Sequence, residues 1–171
     1  MNKVLDEAEL NGWITKAMRP TLLNKGVATQ SRGSFSNKEY NQLHIALRNF
    51  HTKTTNKKAA ATRETLRNYL LVLANTGIRH GTEALNLRWR NIDWYEQNSE
   101  KYLEFSVDGK TNSRSLIGRD SLQDPLLRQS QLNPKLDYDN LDDLLQSKSE
   151  EFVFTNRLGE RATVFNLNRA F

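Results

Sequence analysis

The sequence predicts a mixed α/β fold that is mainly α-helical and contains a small antiparallel β-sheet. Apolar residues recur at helical spacing in several stretches before residue 90, and this pattern favours packed helices. Residues 102–107 alternate in character and are followed by Asp108-Gly109, which is typical of a β-hairpin. A length of 171 residues suits one domain, or one domain joined to part of another.

The composition is that of an ordinary soluble protein, with 37% apolar and 26% charged residues. No apolar run is long enough to cross a membrane, and no N-terminal segment resembles a signal peptide. The chain has no cysteine, which excludes disulfides, a thiol nucleophile and cysteine-ligated zinc. We therefore expect a cytoplasmic protein without a membrane partner.

The charge is unevenly distributed along the chain. Residues 1–90 hold 15 lysines and arginines against 6 acidic residues, whereas residues 91–171 hold 10 against 14. The first part is therefore strongly basic and the second is acidic. A basic region of this strength attracts nucleic-acid phosphates through counterion release, but a solvated surface that keeps the protein soluble explains it equally well.

The first 34 residues predict a short helix followed by a linker. A helix is expected over residues 4–18 and should end at Arg19-Pro20. Its apolar residues at helical spacing are Leu10, Trp13, Ile14 and Ala17. Residues 20–34 mix proline, glycine, serine and basic residues without a period, as linkers do. Because a lone helix cannot bury its own apolar face, residues 1–19 are expected to be the end of a preceding domain.

The next helix has a strong start signal. Ser36 and Glu39 form a capping box, and Phe35 and Tyr40 occupy the two positions of a hydrophobic staple. The apolar stripe of this helix consists of Tyr40, Leu43, Leu47 and Phe50.

Residues 51–63 are polar and basic and show no pattern that faces a core. The candidates for sequence-independent phosphate contacts in this stretch are Lys53, Lys57, Lys58 and Arg63. An exposed loop and the beginning of a helix account for each of them equally well. The helix that follows carries Leu66, Tyr69, Leu70 and Leu73 on one face. Its tyrosine is therefore expected in the core and not as a nucleophile.

The most informative stretch is residues 70–94. An apolar helix is expected to end at Gly77, because glycine adopts the left-handed conformation without a steric cost. Thr82 is expected to cap a second short helix, with Glu83 in its first turn, where the helix dipole favours a carboxylate. Arg79 then lies on a turn with a carboxylate four residues later. A fixed cation beside a fixed anion suits phosphate binding, although a buried Arg–Glu pair that braces the turn is the simpler alternative.

This stretch resembles the first catalytic-arginine motif of the tyrosine recombinases, also called the phage integrase family. The matching residues are Thr76-Gly77-Ile78-Arg79, Glu83, Leu85, Leu87, Trp89 and Ile92-Asp93. The resemblance covers most of the chain, from about residue 12 to the end. It implies that residues 1–19 are the last helix of the core-binding domain, residues 20–34 the interdomain linker and residues 35–171 a partial catalytic domain with the integrase fold.

The predicted hairpin carries a second resemblance. A return strand is expected over residues 114–117, and Gly109-Lys110-Thr111-x-x-Arg114 is similar to the family's β-hairpin, whose lysine enters the active site. An exposed hairpin lysine is the alternative for Lys110. The resemblance implies that Arg79 stabilises charge on the non-bridging phosphate oxygens and that Glu83 holds Arg79 in place. It also implies that Lys110 protonates the leaving 5′-oxygen.

Residues 120–151 are acidic and predict exposed turns with a short helix. The aspartates between residues 137 and 143 lack the glycine and the glutamate of a calcium loop, so no metal site is expected. Residues 152–154 predict a short strand and residues 156–159 a turn. Thr163 is expected to cap a last helix whose apolar residues are Val164, Leu167 and Phe171.

Two elements of the family mechanism do not occur in the sequence. The residues three positions after the histidines are Leu47, Thr54 and Glu83, so there is no His-x-x-Arg element. The last tyrosine, Tyr138, precedes the expected position of the nucleophile. We therefore interpret the chain as a recombinase fragment that lacks the C-terminal part of its catalytic domain and is inactive by itself.

The function implied by the resemblance is site-specific DNA recombination or integration through a 3′-phosphotyrosyl intermediate, without a metal or another cofactor. The implied partners are double-stranded DNA and further copies of the protein in a tetramer on the DNA of a bacterium or phage. Two alternatives remain open at this point. One is a non-catalytic DNA-binding protein derived from an integrase, and the other is a basic RNA-binding protein.

Overall fold

The computed structural model describes residues 2–19, 34–109 and 112–170. Contacts divide the chain into two compact units, residues 1–34 and residues 35–171. The described residues combine seven α-helices with a three-stranded antiparallel sheet, and about half of the chain is helical. The prediction of a mixed α/β fold with a small antiparallel sheet is therefore confirmed. The predicted linker lies outside the described residues, except for Ser34.

The helix of the first unit is shorter than predicted. α1 (Asn2–Leu10) ends where Gly12 adopts the left-handed conformation, with φ of +69°. The amide of Gly12 donates to the carbonyl of Glu9, and that of Trp13 donates to the carbonyl of Ala8, which is the hydrogen-bond pattern of a glycine-terminated helix. A one-turn 3₁₀ helix follows at Lys16–Met18. The expectation of one helix over residues 4–18 was therefore wrong in its second half.

The second unit begins with the predicted capping box. α2 (Asn37–Arg48) starts after Ser36, whose Oγ accepts from the Glu39 amide at 3.3 Å. In return, Glu39 Oε2 accepts from the Ser36 amide at 2.8 Å. These paired hydrogen bonds satisfy amides that have no partner within the helix.

α3 (Lys57–Thr76) is the longest helix and begins inside the stretch that was predicted to lack a core-facing pattern. The side chain of Asn56 caps it by accepting from the amides of Lys58 and Ala59. Ala61, one turn later, is completely buried. The alternative of a helix start within residues 51–63 is therefore confirmed. The expectation that nothing in this stretch faces the core was wrong, because a buried alanine adds little to an apolar periodicity.

The sheet contains β1 (Ile92–Gln97), β2 (Glu100–Asp108) and β3 (Ser113–Gly118), with β2 in the centre. The predicted alternation in β2 is confirmed, since its buried residues are Leu103, Phe105 and Val107. β1 was not predicted as a separate strand. Ile92 is its only buried residue, so the strand carries almost no alternating signal.

The stretch that was expected to form mainly exposed turns instead contributes two helices to the core. These are α5 (Gln123–Ser130) and α6 (Leu141–Gln146), which follow the short helix α4 (Thr82–Leu85) in the chain. Leu126 of α5 and Leu144 of α6 are completely buried. Their acidic neighbours face solvent and concealed this apolar pattern in the sequence.

The C-terminal part differs from prediction at one element. Residues 152–154 form no strand; Phe152 makes only an isolated bridge with Arg88, while Val153 and Phe154 are buried. α7 (Val164–Ala170) begins as predicted, because Thr163 Oγ1 accepts from the Asn166 amide at 3.2 Å. Phe171 lies outside the described residues.

One core cluster joins α3 to the sheet and to α5 and α6. Tyr69 of α3 packs edge-to-face against Phe154, with ring centroids 4.8 Å apart. Trp89 and Phe105 are completely buried in the same cluster. This packing holds the C-terminal half of α3, which leads directly into the turn that carries Arg79. None of the described helices is both long enough and apolar enough to span a membrane.

Candidate functional site

The turn after α3 is held in one conformation. Gly77 ends the helix with φ of +69°, and its amide donates to the Leu73 carbonyl at 3.0 Å, as predicted for a glycine at this position. Ile78 is buried and anchors the turn in the core. Its amide donates to Thr76 Oγ1 at 3.2 Å. The hydrogen bonds of Gly77 and Ile78, together with the burial of the Ile78 side chain, therefore fix the backbone that precedes Arg79.

Tyr69 of α3 supports the next part of the turn, His80 and Gly81, through its hydroxyl group. Its side chain lies in the core, as the sequence predicted, and its Oη accepts from the Gly81 amide at 3.2 Å. The same Oη lies 2.9 Å from His80 Nδ1, so the phenol proton is available to that nitrogen. Burial raises the pKa of Tyr69, which keeps the phenol protonated. Tyr69 is thus a structural support for this turn.

α4 begins at Thr82, the residue that was predicted to be its cap. Gly81, with φ of +94°, is the N-cap residue, and Thr82 is the first residue of the helix and makes no capping hydrogen bond. The prediction that Thr82 caps α4 was therefore wrong. Glu83 lies in the first turn, as expected.

Glu83 receives three hydrogen bonds, although only 6% of its side chain is exposed. Its Oε2 accepts from Arg114 Nη2 at 2.8 Å and from the Arg79 amide at 3.1 Å. Its Oε1 accepts from Arg79 Nη1 at 3.3 Å. The bond from Arg114, followed by that from the Arg79 amide, lowers the pKa of Glu83 against the opposing effect of burial. Glu83 is therefore a buried carboxylate that bridges two arginines.

The two arginines differ from Glu83 in exposure. The Arg79 side chain is 70% exposed and that of Arg114 is 38% exposed. One carboxylate cannot neutralise two guanidinium groups, so the cluster carries a net positive charge toward solvent. An anion such as phosphate is the ligand that this arrangement suits.

Gly109, which follows β2, lies next to the carboxylate of Glu83. A β-carbon added to Gly109 would lie 3.4 Å from Glu83 Oε1 and 2.9 Å from the Asn112 carbonyl oxygen. Gly109 therefore lies within van der Waals reach of Glu83, and the approach that a β-carbon would prevent is the one to the Asn112 carbonyl. Lys110, the predicted general acid, is the next residue in the sequence, but it lies outside the described residues.

The four predicted DNA-contacting residues lie at the other end of α3. Lys53 ends a 3₁₀ turn and Lys57 begins the helix, and both are exposed. Lys58 Nζ pairs with Glu160 Oε1 at 3.2 Å. The guanidinium of Arg63 stacks on Phe50, 4.2 Å from the ring centroid. At about 1.5 Å per residue, the 14 residues from Arg63 to Gly77 span roughly 21 Å, so these side chains do not belong to the Arg79 cluster.

The contact between Arg114 and Glu83 was not predicted from the sequence. Arg114 appeared only as the last residue of the hairpin motif, and no local pattern indicates a contact between residues 31 positions apart. The signal that exists is indirect: the predicted hairpin pairs β3 with β2 and thereby places Arg114 opposite Val107. Within the described residues, no group of three or more histidine, aspartate or glutamate side chains is arranged to hold a metal ion.

Comparison of the chain with models of protein families, with curated proteins and with solved structures found no match in any of the three.

Proposed function

We propose that this chain is part of a tyrosine recombinase and that its Arg79 binds the DNA phosphate at which a strand is cut and rejoined. The observation that carries the proposal is the exposed guanidinium of Arg79, held at its base by the buried carboxylate of Glu83. The motif around Thr76-Gly77-Ile78-Arg79 supports the same assignment. The integrase catalytic-domain fold is part of this proposal.

In the proposed reaction, a tyrosine attacks the phosphate, forms a 3′-phosphotyrosyl bond and releases a 5′-hydroxyl. The 5′-hydroxyl of another strand then reverses the step, so the reaction needs neither ATP nor a metal. Arg79 stabilises the negative charge that develops on the non-bridging oxygens, for which a planar and permanently charged guanidinium is well suited. Arg114 supports this role because it balances Glu83 and leaves the charge of Arg79 available to the phosphate.

Lys110 is the proposed general acid for the leaving 5′-oxygen. This assignment rests on the hairpin motif and is supported by the position of Gly109, which lies against Glu83 and directly precedes Lys110 in the sequence. A lysine in this role needs a pKa lowered by a closed site. Bound DNA that covers the Arg79 cluster provides such a site.

The proposed partner is double-stranded DNA, on which the family assembles as a tetramer in bacteria and phages. The strong positive charge of residues 1–90 supports this choice, as do the exposed side chains of Lys53 and Lys57. Contacts of these lysines with phosphates position a protein on DNA without reading its sequence.

The test is strand cleavage by this chain joined to a C-terminal segment that supplies the histidine, the second arginine and the tyrosine. A nicked duplex that traps the covalent protein–DNA complex reports the first chemical step. We expect Arg79→Ala to slow this step by about 10²–10³-fold, the usual effect of losing one donor to a developing oxyanion. Binding of the duplex should change little.

The matched control is Arg90→Ala, which removes the same charge from an exposed arginine that pairs with Glu150. Unchanged cleavage by the Arg79→Ala protein would reject the proposal. Absence of cleavage in every variant, with duplex binding retained, would leave the non-catalytic DNA-binding protein as the function. Tighter binding of RNA than of duplex DNA would instead favour the RNA-binding alternative.

A further inference from the structure

A second cluster of arginines surrounds a cavity of about 300 Å³ between α2, α3 and α5. Arg48 comes from the end of α2, Arg67 from the middle of α3 and Arg128 from α5. The ten residues from Arg67 to Gly77 correspond to roughly 15 Å along α3, so this cavity is separate from the Arg79 cluster. None of these three arginines has a role in the proposed strand cleavage.

The three guanidinium groups have no counter-charge in contact with them in the part of the chain that the structure describes. Among the described residues, Glu64 is the only acidic residue in the wall of the cavity, and its Oε1 pairs with Arg157. Within the described part of the chain, no carboxylate forms an ion pair with Arg48, Arg67 or Arg128, although Asp124 acts on Arg128 from a greater distance. The cavity therefore holds more positive than negative charge.

The three arginines repel one another across the cavity. Burial, together with repulsion by Arg128 and Arg48, lowers the pKa of the Arg67 guanidinium, and the pKa of Arg128 is lowered mainly by burial. The pKa of the neighbouring His44 is lowered by burial and by the same three arginines. Arg67 and Arg128 nevertheless stay charged near neutral pH. An anion in the cavity would relieve the repulsion.

Buried polar atoms without a hydrogen-bond partner also indicate a ligand in this cavity. Six buried side-chain polar atoms lack a partner among the described residues, and four of them belong to residues that line this cavity. The Nε atoms of Arg67 and Arg128 are donors without an acceptor. Glu64 Oε2 and Asn68 Oδ1 are acceptors without a donor. Buried polar groups are almost always paired, and a ligand that offers acceptor oxygens and a hydroxyl would pair these four atoms.

We propose that the cavity between Arg48, Arg67 and Arg128 binds a phosphate group. Phosphate matches it better than a carboxylate does, because it carries more charge and enough oxygens for three guanidinium groups. The volume lies at the lower end of the range for small-molecule sites and suits a phosphate or diphosphate group. The phosphate comes either from a small phosphate compound or from the backbone of bound DNA.

The test is calorimetric titration of the whole chain with inorganic pyrophosphate at low salt. We expect the unchanged protein to bind it and Arg67→Gln and Arg128→Gln each to weaken binding about tenfold or more, which corresponds to about 1.4 kcal/mol. Arg90→Gln is the matched control, because it removes the same charge from an exposed arginine outside the cavity and should change the affinity less than twofold.

A melting experiment separates a ligand site from a structural cluster. Pyrophosphate should raise the melting temperature of the unchanged protein and not that of Arg128→Gln. Without ligand, Arg128→Gln should melt at or above the temperature of the unchanged protein, since the substitution relieves repulsion. If a variant at these half-buried positions fails to fold, Arg48→Gln provides the same test at an exposed position. No binding by the unchanged protein, or equal binding by all variants, would overturn the proposal.

A competition experiment identifies the source of the phosphate. If a short DNA duplex displaces pyrophosphate from the unchanged protein and less so from Arg67→Gln, the phosphate belongs to the DNA backbone. If the duplex binds without displacing pyrophosphate, the site serves a small phosphate compound. Each of these two results requires that pyrophosphate binds in the arginine cavity. Pyrophosphate binding does not depend on strand cleavage, so failure of the recombinase proposal would be distinguishable from failure of this one.

Discussion

Oε2 of Glu83 accepts a hydrogen bond from Nη2 of Arg114 at 2.8 Å, across 31 residues of sequence. The same oxygen accepts from the Arg79 amide, so one buried carboxylate joins the turn after α3 to the strand β3. Arg114 balances the charge of Glu83, and the guanidinium of Arg79 remains exposed and available. The geometry around Arg79 therefore depends on an ion pair that the Thr-Gly-Ile-Arg motif does not contain.

Substitution of Glu83 by glutamine tests this dependence through pH. The pKa of Glu83 is lowered in the folded protein, so its contribution to stability is present above the unfolded value of about 4.3 and is lost as the pH falls. At neutral pH, Glu83→Gln should lower the free energy of unfolding. The difference from the unchanged protein should shrink toward acid pH, where Glu83 itself becomes protonated. Urea unfolding between about pH 3 and pH 7 measures this difference in the free energy of unfolding.

Glu96→Gln is the control for this experiment, since Glu96 is exposed on β1 and forms no ion pair among the described residues. It should leave the pH dependence of stability unchanged. A deficit in Glu83→Gln that stays constant across the pH range would contradict the assigned role of the carboxylate.

Lys110 is testable by changing the leaving group of the DNA. If the chain is part of a recombinase, as proposed, then in a fusion that supplies the tyrosine Lys110→Ala should slow cleavage of an ordinary duplex, because the 5′-oxygen then leaves without a proton. A duplex in which sulfur replaces that oxygen should restore cleavage, since a thiolate leaves without protonation. Arg79→Ala is the internal control, because it should stay slow with both substrates. A Lys110→Ala protein that the sulfur does not rescue would show that another group is the acid.

Gly77 and Gly118 should each be required for stability, but for different physical reasons. Gly77 has a positive φ but open space around its α-carbon, so Gly77→Ala should cost about 1–2 kcal/mol through backbone strain alone. A β-carbon at Gly118 would lie 2.7 Å from Leu122 Cδ1, so Gly118→Ala should cost about 1–3 kcal/mol through overpacking. Thermal or denaturant unfolding measures both.

Asparagine distinguishes the two causes at Gly77, because it tolerates the left-handed conformation better than alanine does. Gly77→Asn should therefore be less destabilising than Gly77→Ala. Equal losses of stability for these two variants would argue against backbone strain as the cause.

The proposed phosphate contacts predict a salt dependence of DNA binding. The logarithm of the affinity should fall linearly with the logarithm of salt concentration, and Lys57→Ala should reduce the slope by about 1 if its ammonium neutralises one phosphate. Fluorescence anisotropy with a labelled duplex measures this slope. Lys135→Ala is the matched control, since Lys135 pairs with Glu151 in the acidic part of the chain. Identical slopes for the unchanged protein and Lys57→Ala would remove Lys57 from the interface.

The sequence predicted those elements whose signals are local. The capping box at Ser36 and Glu39, the helix end at Gly77 and the N-cap at Thr163 each depend on residues within a few positions of one another. The alternation of β2 was equally visible, because both of its faces are distinct. β1 and the helices α5 and α6 were missed or understated, since their core contacts come from few residues among acidic neighbours.

The sequence by itself determined that Arg79 lies on a glycine-terminated turn with Glu83 four residues later, because helix caps and backbone conformations are set by neighbouring residues. Only the tertiary structure decided that Arg114 shares that carboxylate and that Arg48, Arg67 and Arg128 surround one cavity. These groups come from separate helices and strands, and their distances depend on how the core packs. No local preference encodes such distances, which is why the charge clusters became visible only in the folded chain.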